Sequence, residues 1–598
     1  MPTYKAPLKE MMFVLKDVIG TDKIRQLPQY SEISDDLIEA ILTEGAKFTE
    51  NVLTPLNLPG DNEGCKWNNG SVTTPKGYKE AYKEFVEAGW PALAADPEYG
   101  GQGLPNMVSL FFEEMICSSN LSFGLYPGLT RGASIMLHRH GSEELKDIYL
   151  KKMFEGTWSG TMCLTEPHCG TDLGMLRTKA EPQTDGTYKL SGTKIFITSG
   201  EHDLTENIIH FVIARTPDAP AGIKGISLFL VPKFMVKTDG SLGERNPANC
   251  ASIEHKMGIK ASSTCVMNFD GATGYLVGDL GRGINNMFTM MNIERLGVGT
   301  QGLGLGEVAY QNALTYARER LQGRSISGVK NPDGPADPLI VHPDIRRMLL
   351  TMKSFNEGCR MLEAWIGQHL DISEASSDPV EKRNSDDIIQ LLTPIIKAFL
   401  TDVGTEVTNL GMQIYGGHGY IHDNGMEQFV RDARIAQIYE GANGIQALDL
   451  VGRKMPAHMG RFLRQFFLPV QDFIEAHSRD ESLAEFIGPL AKSFGRLQQA
   501  TATIAQRGFG NPDEAGAASS DYLRFFAMVS IAYLWCRAVI VAKDKIAKGS
   551  GDPFYQAKIH TARFYMQKLM PQTSALFSTI MAGAAPVMAM DEKLFEVA

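Results

Sequence analysis

Glu440 stands between Tyr439 and Gly441 near the end of Val430-Arg-Asp-Ala-Arg-Ile-Ala-Gln-Ile-Tyr-Glu-Gly-Ala-Asn-Gly-Ile-Gln446. A carboxylate that follows an apolar run is partly desolvated, and desolvation raises a carboxyl pKa toward the range in which it serves as a base. The same placement also fits a helix-terminal glutamate turned to water. Upstream, Gln413-Ile-Tyr-Gly-Gly-His-Gly-Tyr-Ile-His422 contains Gly416, Gly417 and Gly419, which permit positive φ and close approach of backbone to a ligand. Helical patterns flank it, so a tight turn beside a phosphate is expected. A third segment, Trp158-Ser-Gly-Thr-Met-Cys-Leu-Thr-Glu-Pro-His-Cys-Gly-Thr-Asp172, reads as a strand entering a turn with hydroxyls, Gly170 and backbone amides. Such a turn can donate hydrogen bonds to a heterocycle or a pyrophosphate, although any strand and turn share these parts. In Lys194-Ile-Phe-Ile-Thr-Ser-Gly200, alternation places Phe196 and Thr198 on one strand face. A ring and a hydroxyl there can cover and hydrogen-bond a flat cofactor, or simply pack a sheet.

Elements must hold these residues in place. Apolar residues recur at helical spacing over Ser34–Leu53, Lys76–Ala88, Met107–Ser118 and Glu143–Phe154. Turn signals lie between them, at Pro-Gly-Asp-Asn over 59–62 and at Tyr99-Gly-Gly-Gln-Gly-Leu-Pro105. From Trp158 to about Asp279 the pattern changes to short β-branched and aromatic runs, as expected for an antiparallel sheet unit. They are Tyr188–Ser191, Lys194–Thr198, Ile208–Ala214, Ile226–Val231 and Thr264–Phe269. The helical period then returns over Ile284–Arg320, Pro343–Leu370 and Asp386–Gly411, with a Pro- and Gly-rich loop over Lys330–Leu339. The expected layout is an α+β multidomain chain. It has an N-terminal extension over 1–40, a helical domain over 41–160 and a β domain over 161–282. A helical domain over 283–455 and an additional helical domain over 456–598 follow.

Composition narrows the function classes. The chain has 598 residues, enough for several packed units, with 43% hydrophobic and 21% charged residues, as in ordinary soluble enzymes. A net charge of -11 argues against a nucleic-acid binder. Eight cysteines without a Cys-x-x-Cys pair suggest buried thiols in a reducing cytoplasm. The start, Met1 to Glu10, carries no signal-peptide run. One apolar run, Phe525–Ala542, nears spanning length but contains Arg537, so a buried helix and no transmembrane segment is expected.

Four motifs together carry a resemblance. Cys-Leu-Thr-Glu-Pro-x-x-Gly-Thr-Asp at 163–172, Phe-Ile-Thr-Ser at 196–199, Gln-x-Tyr-Gly-Gly-x-Gly-Tyr at 413–420 and Arg-Asp-Ala-Arg-Ile-x-x-Ile-Tyr-Glu-Gly at 431–441 resemble the acyl-CoA dehydrogenase family, in its order and at compatible spacing. The match covers about residues 40–455, and the added ends resemble the large bacterial branch of about 600 residues, which includes fatty acyl-CoA and 3-methylmercaptopropionyl-CoA dehydrogenases. The resemblance implies FAD lined by Met162 through Thr171, including Leu164, Thr165 and Gly170, with Thr171 shared with CoA. It implies that Phe196, Ile197 and Thr198 cover the flavin's other side. Arg320, Gln413, Gly416 and Gly417 would reach a neighbouring subunit's FAD, in a homodimer or dimer of dimers. Asn292 and Arg295 would meet CoA together with Gly441, and Glu440 would be the catalytic base, with its N–H on the thioester oxygen. An electron-transfer flavoprotein is the implied electron acceptor. The alternatives are an acyl-CoA oxidase using O₂ and a non-catalytic acyl-CoA-binding flavoprotein. The chain departs from the family at Arg320-Leu-Gln-Gly-Arg324, where Arg-x-x-Phe-Gly is common, at Phe196 in place of Trp and at Ala442 in place of Thr.

Two lesser patterns have plainer readings. Gly302-Leu-Gly-Leu-Gly306 lacks a preceding strand and is expected to pack helix on helix rather than bind a dinucleotide. His138, His140, His418 and His422 lack partners at metal-ligand spacing, so no metal is expected.

Overall fold

The computed structural model describes residues 2–597. The chain divides into two compact units: Lys47–Leu104 with Ser119–Gly297, and Met1–Ala46 with Pro105–Ser118 and Val298–Ala598.

The first unit is built around a seven-stranded sheet: β1 (Trp158–Cys163), β2 (Lys179–Pro182), β3 (Tyr188–Thr198), β4 (Asn207–Arg215), β5 (Ile226–Pro232), β6 (Ala248–Ile253) and β7 (Thr264–Leu276). The spatial order is β6-β7-β3-β2-β4-β1, and β5 pairs with both β4 and β7, which closes the sheet on itself. Closure removes most unpaired strand edges. The sheet is not purely antiparallel as the sequence reading expects. β1 runs parallel to β4 over six paired residues, and β2 touches β4 in parallel at Lys179–Arg215. A parallel strand needs cover on both faces, and β4 has it. Ile209, Phe211 and Ile213 enter one core with Trp158, Tyr149 and Met290, while Val212 and Ala214 enter another with Cys163, Leu190 and Met267.

Two expectations for the segments before the sheet change. Pro-Gly-Asp-Asn at 59–62 is not a turn but lies inside the helix Thr54–Glu63. Gly60 is there for packing: a Cβ on it would stand 2.7 Å from the Tyr78 hydroxyl. The helix stops at Gly64, with φ 64. The helix expected over 107–118 runs from Asn106 to His140 with a break at Asn120 (φ -160, ψ 87). The Asn120 side-chain carbonyl accepts from Phe123 N–H and Tyr78 OH, both at 3.0 Å, and so starts the second half as an N-cap does.

The second unit is helical. Its long elements include Pro343–Ala375, Pro379–Tyr415, Ala484–Gly510 and Pro512–Ala547. The Gly302/Gly304 stripe does pack helices: a Cβ on Gly302 would lie 2.3 Å from Leu400 O, and one on Gly304 would lie 2.7 Å from Cys117 Cβ. Arg360, 1% exposed, is held by Glu114 and by Glu307 at 2.9 Å, the multiple bonding a buried guanidinium requires. Pro512–Ala547 is apolar enough to span a membrane but is 83% buried in its most apolar window. A second such helix, Pro379–Tyr420, escapes the sequence reading and is 78% buried. Both behave as core helices.

The N-terminal extension packs onto the last helices of this unit. Phe13 meets Phe554 edge-on at 5.2 Å, and the Arg537 guanidinium donates to Val18 O at 2.6 Å. Lys558, 2% exposed, bonds Glu10 and, at 2.7 Å, Glu357. Lys545 pairs with Asp17 at 2.8 Å. All eight cysteines are free thiols, seven of them buried.

Candidate active site

The residues after β1 form a turn held from behind. Leu164 and Thr165 are half-buried, while Gly170 and Thr171 are exposed. Glu166, between them in sequence, points inward. Its carboxylate accepts from Thr178 Oγ1 at 2.6 Å, Thr178 N–H at 3.0 Å, Arg177 N–H at 2.7 Å and Lys194 Nζ at 2.8 Å. Lys194, on β3 and wholly inaccessible, also donates to Leu164 O at 3.0 Å, and Ile195 N–H donates to Thr165 O at 2.8 Å. One ammonium thus ties the turn to β3. Burial alone would push Glu166 up, but the Lys194 charge and these donors outweigh it and hold the carboxyl at about 2. Burial lowers Lys194 from its ordinary value, and Glu166 opposes that shift.

β3 does not alternate simply at its end. Lys194 pairs with Met267 and Ile197 with Cys265, so Ile195 and Phe196 together face Val266 across a bulge. Bulges re-aim side chains. Phe196 takes φ 59 and is 59% exposed, an aromatic face turned away from the core. A non-glycine residue at positive φ costs about 1–3 kcal/mol and persists where its surroundings enforce it. Thr198 is half-buried. The Met162 and Ile197 side chains lie in the hydrophobic cores, 9% and 2% exposed. Behind β1, Ser159 meets His202 at 3.0 Å and Thr161 meets His210 at 2.8 Å. Burial, with the Lys233 charge, holds both imidazoles at about 3. In the same unit Arg295, 7% exposed, donates to Asn292 at 3.3 Å.

In the helical unit, Glu440 is half-buried and has φ 56, and Gly441 follows at φ 85. The short helix Asn443–Asp449 begins just beyond. Its Asn443 accepts from Lys397 at 2.9 Å and donates to Asp402 at 2.7 Å, and Gln437 donates to Asp402 at 2.6 Å. Tyr439 OH bonds Gln301. The segment around Glu440 is therefore moored on both sides to Pro379–Tyr415.

That helix ends at Gly416 (φ 60, ψ -139), a conformation open only to glycine. A Cβ at Gly416 or Gly417 would meet nothing within 4 Å. The two glycines line a cleft of about 490 Å³ with Arg320, Gln322, Tyr316, Tyr415 and His418. Tyr316 stacks on Tyr415 at 4.1 Å and bonds His418 at 2.7 Å. Arg320, Gly416 and Gly417 are thus brought together. Gln413 is exposed on the last turn of the helix and does not line the cleft.

Lys194, Glu166 and the Asn443 anchors were not singled out from sequence. A lysine within an apolar strand next to a motif glutamate was the available signal for the first pair.

Comparison with known proteins bears on the family and the fold. The family models described as acyl-CoA dehydrogenase N-terminal, middle and C-terminal domains match residues 39–157, 161–272 and 281–455, and one described as acetyl-CoA dehydrogenase C-terminal like matches 466–591. The 3-methylmercaptopropionyl-CoA dehydrogenase of Ruegeria pomeroyi is 43% identical over 97% of this chain and 98% of its own. A butyryl-CoA dehydrogenase of Syntrophomonas wolfei is 34% identical over 99% of both chains. The structure of Caenorhabditis elegans ACDH-11 in complex with C11-CoA shares the fold, with a TM-score of 0.79 at 20% identity, over 100% of this chain and 96% of that one.

Proposed function

The chain belongs to the acyl-CoA dehydrogenase family, and from that premise we propose that it oxidises an acyl-CoA thioester to the trans-2-enoyl-CoA, with FAD as cofactor and Glu440 as base. The observation that carries the reading is Glu440 itself. It holds the position of the base in the family motif and adopts a strained backbone conformation of the kind that clusters at functional sites.

The α-proton of a thioester is weakly acidic, so a carboxylate needs help to remove it. Glu440 takes the proton, and its own N–H donates to the thioester oxygen, where negative charge develops. Bound FAD supplies the hydride acceptor for the β-carbon. The residues present suit that cofactor. Phe196 offers an exposed aromatic face at its bulge, and the turn from Leu164 to Thr171 offers hydroxyls and amides. Arg320, Gly416 and Gly417 form a cleft of a size and charge suited to the dinucleotide end of a neighbouring subunit's FAD. By resemblance to the family, Thr171, Asn292 and Arg295 of the first unit and Gly441 of the second would be the residues that meet CoA.

The substrate is 3-methylmercaptopropionyl-CoA or a short- to medium-chain fatty acyl-CoA, on the strength of the 43% and 34% identical relatives. Electrons leave to an electron-transfer flavoprotein in the cytoplasm, and the enzyme works as a homodimer or dimer of dimers. The test is anaerobic bleaching of the bound flavin by 3-methylmercaptopropionyl-, butyryl-, octanoyl- and palmitoyl-CoA. Bleaching by wild type, and none by Glu440→Gln at equal FAD content, is expected; the fastest substrate names the chain. Wild type that retains FAD and bleaches with none of the four overturns the dehydrogenase reading for these chains.

A further inference from the structure

Gln446 lies six residues beyond Glu440 and is 1% exposed. Its Nε2 donates to two successive carbonyls, Glu440 O at 3.2 Å and Gly441 O at 3.1 Å. The two carbonyls turn toward one donor where the chain passes through φ 56 at Glu440 and φ 85 at Gly441. A glutamate does not hold that conformation unaided. Gln446 can enforce it because its own helix is fixed. Ile445 N–H and Gln446 N–H donate to Ala442 O at 2.7 and 3.1 Å, and Asn443 is bound to Lys397, Asp402 and Ala398 O. The two held peptides, Glu440–Gly441 and Gly441–Ala442, anchor Glu440 from its C-terminal side, so their release would let the Glu440 backbone relax and redirect its side chain.

We propose that Gln446 is a positioning residue for the reaction: its carboxamide locks the Glu440–Gly441 turn and thereby fixes the direction of the Glu440 side chain. This rests on the reading of Glu440 as the base. Methionine at 446 keeps the volume and removes the donor, while asparagine keeps the donor and withdraws it by one methylene.

The experiment compares purified FAD-loaded wild type, Gln446→Met, Gln446→Asn and Glu440→Gln. It reads the anaerobic single-turnover bleaching rate per bound flavin, and KM, with 3-methylmercaptopropionyl-CoA and butyryl-CoA as probes. Gln446→Met is expected to bleach about 100-fold more slowly, the cost of misplacing a reacting group by about an ångström, with KM and FAD content near wild type. A purely structural role would instead lower FAD content while the rate per remaining flavin stayed normal, and that result overturns the proposal. If Gln446→Met does not fold, Gln446→Asn decides: a rate reduced about tenfold upholds the proposal, and a wild-type rate refutes it. Inactive Glu440→Gln beside a normal Gln446→Met rejects the role of Gln446 alone, whereas Glu440→Gln that still bleaches removes the base reading and this inference with it.

Discussion

Replacing Lys194 by methionine tests whether the turn after β1 depends on its buried ion pair. The substitution keeps the volume of the stem but leaves the Glu166 carboxylate, 3% exposed, with Thr178 and two backbone amides as its donors. A carboxyl held at about 2 instead of its ordinary 4.5 represents about 3 kcal/mol of stability at neutral pH. Removing one partner of a buried pair costs about 3–5 kcal/mol, and the remaining donors place this case at the lower end. For a unit of this size each kcal/mol lowers Tm by about 2–4 °C, so Lys194→Met should melt about 6–12 °C lower. The assay is thermal release of FAD, followed by its fluorescence and checked by calorimetry. Because the folded pKa of Glu166 is depressed, its contribution is complete above pH 4.5 and is lost as pH falls toward 2. The gap between wild type and variant should therefore narrow on acidification. Glu166→Gln combined with Lys194→Met should recover part of the loss, since no buried charge is then left alone. A Tm unchanged within about 2 °C, well below the shift that 3 kcal/mol implies, with full FAD content would refute the reasoning.

Two further outcomes follow from the same unit. His202 and His210 are held at about 3 instead of 6.5, so the unfolded state binds more protons and stability falls as pH drops below about 6.5. Each histidine contributes about 1.4 kcal/mol per pH unit down to its folded pKa. Chemical denaturation at pH 7 and pH 5 should show a smaller loss in His210→Gln than in wild type. Phe196→Gly should leave the fold equally or more stable by about 1 kcal/mol, because glycine accepts φ 59 without strain. The same variant should retain less FAD after gel filtration, measured by the 450 to 280 nm absorbance ratio.

Much of the fold was legible because it follows from periodicity. The switch from helical spacing to short β-branched runs at Trp158 and back after Gly283 marks the sheet, and helices such as Pro343–Ala375 lie where their apolar stripe predicts. What was not legible depended on partners distant in sequence. The Pro-Gly at 59–60 looks like a turn until Tyr78 is packed against it. The parallel pairing of β1 with β4 leaves no local signature. At the candidate site, the resemblance named Glu440, Arg320, Gly416 and Gly417, and the last three line one cleft. Alternation along β3 separates exposed Phe196 from buried Ile197, but the bulge at Ile195–Phe196 leaves no signature in the sequence. Lys194 and Gln446 stayed hidden for a related reason. Their importance lies in which carbonyl or carboxylate each one reaches, and residue type does not carry that.

The contact of the N-terminal extension with the last helices bears on how the chain is made. Phe13, Val14, Leu15, Val18 and Ile19 are buried in the finished protein, but Phe554, the ring that meets Phe13, is translated some 540 residues later. At about 5–20 residues per second, this apolar segment waits roughly half a minute to two minutes on the ribosome before that surface exists. Its packing against Phe554 therefore cannot be completed until almost the whole chain has been made.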